Sequence, residues 1–173
     1  MHKHNIFLIW LLLTVTNVHA QIQTKNQIKV SINSVIDNFQ KGIIEKDSIL
    51  LKSLFFDKTT PIIGVMSEPT EISIKKNNPQ FEGLSVSNSN KFIKEICTSK
   101  EKRFEKFAKI EIQSQLKLAY VQFDYAFYSN GKVIQWGQEN WTLVFAENQW
   151  FITGINYTIR FPSVEKLPRY LME

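Results

Sequence analysis

Along the N-terminal third the apolar positions recur at helical spacing. Ile28, Ile32, Val35, Ile36, Phe39 and Ile43 fall on one stripe, which predicts an amphipathic helix over Gln27 to Glu45. Asp47 or Ser48 then offers an N-cap to a short second helix through IleLeuLeuLysSerLeuPhePhe. Residues 61 to 66, ProIleIleGlyValMet, form a brief apolar run whose length, proline and glycine favour a strand. From 67 to 90 no period holds, although ThrGluIleSerIle at 70 to 74 suits a short strand. Asn88, Ser89 or Asn90 can cap a third helix carrying Phe92, Ile93, Ile96 and Cys97 on one side. After Lys106 the period drops to two. Ala108, Ile110 and Ile112 alternate with charged residues, and Ala119, Val121, Phe123, Tyr125 and Phe127 alternate with Tyr120, Gln122, Asp124, Ala126 and Tyr128. An Asn-Gly pair at 130 to 131 and GluAsnGln at 147 to 149 mark turns, so Val133 to Ala146 and Trp150 to Phe161 complete an antiparallel meander of about four strands. Three helices covering one face of that sheet make an α+β domain.

The two ends read differently. Residues 1–20, MHKHNIFLIWLLLTVTNVHA, have a basic start, an apolar run from Ile6 to Val15, and Val18 and Ala20 before Gln21. That is the pattern of a secretory signal peptide cleaved after Ala20, its apolar run being about half of the roughly twenty residues a membrane span needs. A periplasmic or secreted product, without membrane attachment after cleavage, is the expectation. One domain is expected over residues 21–162, followed by an irregular tail over 163–173.

Composition narrows the chemistry. With 43% hydrophobic and 21% charged residues the chain of 173 is globular rather than disordered. His2, His4 and His19 all fall in the leader, so the mature chain holds no histidine, and Cys97 is its only cysteine. A zinc site, a Cys-His nucleophile and an internal disulfide are thereby excluded, and neither a metal nor a cofactor is expected. Cys97, in the context PheIleLysGluIleCys, is expected to be buried. The net charge of +5, or +4 once Lys3 is removed, is mild. In the densest basic stretch, KEKRFEKFAK at 100 to 109, Glu101 and Glu105 interrupt the positive charges. Such a mixed run reads as a solvated face, and nucleic acid is not an expected partner.

Three segments carry a family likeness: AYVQFDYAFY at 119 to 128, GQENWTLVF at 137 to 145 and QWFITGINYT at 149 to 158. Together with the helix order, they resemble the nuclear transport factor 2-like superfamily, particularly its SnoaL-like bacterial branch. The resemblance implies a cone in which a curved antiparallel sheet wraps the first helix and leaves a pocket. Phe39, Phe123, Tyr125, Glu139, Trp141 and Tyr157 are then the expected lining. It also implies a choice among isomerases, dehydratases, cyclases and non-catalytic pocket or dimeric proteins. The catalytic members use an Asp or an Asp-His pair, often with a tyrosine hydroxyl, and this chain cannot supply the histidine.

Two carboxylates fall in mid-strand. Asp124 shares a face with Tyr120, Gln122 and Tyr128; that face either lines the cone, as in a proton-transfer isomerase, or is the wet outside of the sheet. Glu139 shares parity with Val133, Gly137, Trp141, Leu143 and Phe145, so it is the better inward carboxylate, unless it pairs with Arg160 or a lysine. Trp136 and Trp141 fall on opposite faces. The sequons at Asn140 and Asn156 lie in strands and read as chance matches. The leading expectation is an exported pocket protein for a small apolar or amphipathic molecule, homodimeric through its sheet. The alternatives are an isomerase using Glu139 or Asp124 with Tyr120 or Tyr128, and a protein-interaction module using the outer sheet.

Overall fold

Thr24 opens the first helix: its hydroxyl accepts from the Gln27 N–H while the Gln27 side chain accepts from the Thr24 N–H, a reciprocal cap. The computed structural model describes residues 24–172, so the leader and its cleavage site lie outside the described residues. Helix α1 runs Lys25–Glu45 and buries Ile32, Val35, Ile36, Phe39 and Ile43. Lys46, in the left-handed region, ends it, and Asp47 caps α2 (Ser48–Leu54) by accepting from the Ile49 and Leu50 N–H groups. Residues 70 to 74 are not a strand. They belong to α3 (Glu68–Lys75), where Ser67 caps, Pro69 sits in the first turn, and Glu68 and Glu71 meet the positive end of the helix. Those end effects outweigh the short alternation of Ile72 and Ile74. With α4 (Ser89–Thr98), capped by Asn88, the helices number four among the described residues rather than three.

The sheet has six strands: β1 (Pro61–Met66), β2 (Leu84–Asn88), β3 (Arg103–Gln115), β4 (Leu118–Ser129), β5 (Lys132–Ala146) and β6 (Gln149–Ile159). Their order is β2-β1-β6-β5-β4-β3. The meander β3 to β6 is antiparallel as expected, but β1 joins β6 in parallel, so the sheet is mixed. Strand β2 lies within the stretch that read as irregular. Its residues Leu84, Ser85, Val86 and Ser87 are too few, and too exposed on its edge, to show a period. Strand β3 starts earlier than its alternation suggested, because a bulge between Ala108 and Glu111, with Lys109 at φ 54°, reverses which side chains face inward. Before the bulge Glu105 and Phe107 face the helices; after it Ile112 does. A second irregularity opposite Phe127 and Tyr128 turns Val133 to the outer face, against its expected parity. At the β4–β5 turn Asn130 and Gly131 have φ of 49° and 76°, the paired left-handed geometry an Asn-Gly hairpin needs.

The core lies between α1 and the inner face of the sheet. The segment after β6 is irregular in backbone but packed against the sheet. It crosses the outer face of the sheet as a strap, finishing in a 3-10 turn at Arg169–Leu171. Leu167 and Leu171 bury themselves there against Ala126, Tyr128, Val133 and Trp136. A small second core results, so the outer sheet face is apolar at one end and wet at the other.

Candidate functional site

Between α1, α4 and the sheet lies a cavity of about 250 Å³. Its aromatic side chains are Phe39, Phe92, Tyr125, Phe127 and Tyr157. Two carboxyls enter it. Glu139, in mid-β5, stands between Phe123 on β4 and Tyr157 on β6, and is 4% exposed. Two residues along a strand share a face, so Trp141 is its neighbour, and the indole Nε1–H donates to Glu139 Oε1 at 2.5 Å. Burial pushes the Glu139 carboxyl up to about 7, against the opposing pull of that indole. Glu105, on β3 opposite Phe127, is 8% exposed, and its Oε2 has no hydrogen-bond partner. Burial first, and then the charge of Glu139, hold it well above the usual carboxylate range. The two therefore titrate as a pair that retains proton near neutral pH. On the α1 side, the Gln40 amide donates to the Glu105 carbonyl at 2.9 Å and fixes the helix over this part of β3.

The tyrosines of the cavity stay neutral. Tyr125 pairs with Gly137 on β5, and its hydroxyl donates to the Thr158 carbonyl on β6 at 2.9 Å. Burial, then Glu139 and Glu105, push its hydroxyl well up. Tyr157 is pushed up to about 12, again chiefly by burial. Arg103 and Glu95 also border the cavity; Arg103 is paired with Glu101 at 3.2 Å.

Of the side chains expected as lining, Phe39, Tyr125, Glu139 and Tyr157 border the cavity. Phe123 and Trp141 do not. They pack edge to face at 5.1 Å deeper in the core, with Trp141 also 4.8 Å from Phe39, so Trp141 acts on the cavity through Phe39 and Glu139. The Glu139–Arg160 ion pair weighed from sequence does not form: Arg160 pairs with Glu165 at 3.4 Å and lies over Trp136 on the outer face. Asp124 is on the outer face, bonded by Lys109 at 3.1 Å and by the Tyr170 hydroxyl at 2.8 Å. Tyr120 is 57% exposed on that face, and the Tyr128 hydroxyl donates to the Leu171 carbonyl under the strap at 2.6 Å. An outer recess of about 310 Å³ adjoins Asp124, yet its carboxylate is already satisfied. Asp124, Tyr120 and Tyr128 thus stand apart from the cavity, on the far side of the sheet.

Glu105 is the residue sequence reasoning passed over. Embedded in KEKRFEKFAK it read as a solvated charge, whereas its alternation with Phe107 is the signal that places it inward. Cys97 is half-buried, and burial pushes its thiol up, so it is no ready nucleophile. Among the described residues no group of three or more metal-ligating side chains is gathered, and no helix is long and apolar enough to cross a membrane.

No family model and no curated protein matches this chain. Solved structures do. A protein of unknown function from Silicibacter pomeroyi, described as NTF-2 like, superposes with a TM-score of 0.54 at 15% identity, over 80% of this chain and 100% of that one. A nuclear transport factor 2-like superfamily protein from Salmonella enterica gives 0.55 at 19% identity, over 78% and 92%. A Novosphingobium aromaticivorans protein provisionally named a scytalone dehydratase gives 0.58 at 14%, over 79% and 87%. At such identities the likeness is one of fold, and the fold of this chain is the nuclear transport factor 2-like α+β cone.

Proposed function

From that fold and the cavity it encloses, we propose that the protein binds a small amphipathic molecule between α1 and the sheet. The observation that carries this is Glu105 Oε2, a buried oxygen without a hydrogen-bond partner beside an aromatic-lined space. Buried polar atoms are almost always paired, so an unpaired one facing a cavity points to a ligand as its partner. The export expected from the leader belongs to the same proposal, as does a homodimer using the outer surface beyond the strap, where Ile110, Leu118 and Tyr120 are exposed. A crystallographic fragment soak of the mature chain tests the binding reading. Small amphipathic fragments are expected against Glu105 and Phe39; a cavity that stays empty across the library, or closes on itself, overturns it.

A second reading has its own support. A carboxyl raised to about 7 in an apolar cavity is suited to taking and returning a proton near neutral pH, the requirement for a general base. Glu139 would be that base, with Glu105 as its partner rather than Asp124, Tyr120 or Tyr128. Proton–deuteron exchange at the α-carbon of small ketones is the assay. Loss of exchange in Glu139→Gln supports the reading, and unchanged exchange removes Glu139 as a base.

A further inference from the structure

The cavity gathers acidic side chains in a chain that is basic overall. The chain carries a formal +5, yet the side chains bordering the cavity bring three carboxyls, Glu95, Glu105 and Glu139, against one cation, Arg103. That cation is engaged by Glu101 and lies 5.9 Å from the Phe127 ring centroid. Glu139 uses Oε1 to accept from Trp141, and Glu105 Oε2 has no donor at all. The nearby tyrosine hydroxyl of Tyr125 is spent on Thr158. What the site lacks is a hydrogen-bond donor carrying positive charge. Its walls suit one too, because aromatic rings such as those of Phe39, Phe92 and Tyr157 attract cations through their π faces.

We propose that the ligand is a small organic monocation, its ammonium group seated between Glu105 and Glu139 and its apolar body against the aromatic walls. This rests on the reading of the cavity as a ligand site and gives that ligand its chemistry. An anion would meet two carboxyls with no free cation to receive it. A neutral alcohol could pair with Glu105 Oε2 but would leave the proton of the pair in place, so its binding would not draw on the two carboxyls as charges. A metal ion is not favoured as the occupant, because no group of three or more metal-ligating side chains is gathered among the described residues. An ammonium replaces the proton that the pair retains when the cavity is empty, and that proton leaves to water. Of the other groups facing the pair, Tyr125 on β4 and Tyr157 on β6 are both held protonated, Arg103 on β3 is paired with Glu101, and Glu95 is an exposed carboxyl on α4. The pH dependence of binding therefore reports Glu105 and Glu139.

The test is calorimetric titration of the mature chain with 2-phenylethylammonium and with its neutral counterpart 2-phenylethanol, at about pH 6 and about pH 8. The ammonium is expected to bind about ten-fold or more tightly than the alcohol at the higher pH, with the preference shrinking at the lower pH. Proton release should be seen as a dependence of the heat on buffer. Glu105→Gln should erase most of the preference while retaining alcohol binding, with its fold checked by thermal unfolding. If the alcohol binds as well as the ammonium, with no effect of pH, the monocation proposal fails and the cavity reading stands. If neither binds to the folded wild-type chain, both fail.

Discussion

Replacing Glu139 by Gln keeps an oxygen for the Trp141 indole and removes the ionisation. In the unfolded chain this carboxyl titrates near its ordinary 4.5, and in the fold near 7, so unfolding between those values releases a proton. Its contribution to stability is then fully present below the unfolded value and is lost as pH rises through the folded one, by up to about 3 kcal/mol. The wild-type chain is expected to melt lower at about pH 8 than at about pH 5, and Glu139→Gln to flatten that slope and melt higher than wild type at the alkaline end. Parallel profiles for the two proteins would show that Glu139 is not the group responsible. Glu139 could be placed inward from strand parity because Trp141 and Leu143 share its face. Glu105 could not be placed as readily, since it sits in a run crowded with charges and the bulge after Ala108 hides the alternation that aims it inward.

At the scale of elements, the tightest point near the site is the crossing of Tyr125 over β5. A Cβ added at Gly137 would lie 2.1 Å from the Thr158 carbonyl oxygen, the atom that accepts from Tyr125. Gly137→Ala is therefore expected to cost about 2–3 kcal/mol or more, through displaced backbone rather than lost contacts. Gly131→Ala is the matched control: it sits at φ 76° with no atom within 4 Å of an added Cβ, so only the turn conformation resists it and about 1 kcal/mol is expected. Denaturant midpoints for both variants decide between these magnitudes. The strands of the meander were legible where alternation runs long and unbroken, as in β4, and where a short turn joins neighbours, as between β4 and β5. The helix at Glu68–Lys75 turns on one cap and a proline within an eight-residue span. The parallel pairing of β1 with β6 joins residues some ninety positions apart, beyond the reach of any local pattern.

For the molecule as a whole, the strap decides how much of the sheet meets water. Leu171 is fully buried in it, and Leu171→Ala is expected to cost about 2–4 kcal/mol. A chain ending at Pro162 should expose the Tyr128 and Trp136 face, bind apolar dyes and associate on sizing columns; a monomer as stable as the full chain would show the strap to be dispensable. The strap escaped sequence reading because its apolar residues, Leu167 and Leu171, are isolated among prolines and charges. The position of β6 bears on the order of events during synthesis. The strand translated after all the others lies between β1 and β5, inside the sheet rather than at its edge. A nascent chain halted before Trp150 has two half-sheets, β2-β1 and β5-β4-β3, with nothing to join them, and the stripe of α1 has only part of its cover. Folding must wait until β6 has cleared the ribosome, and stalled chains are expected to turn from protease-sensitive to resistant only once Ile159 has emerged from the exit tunnel.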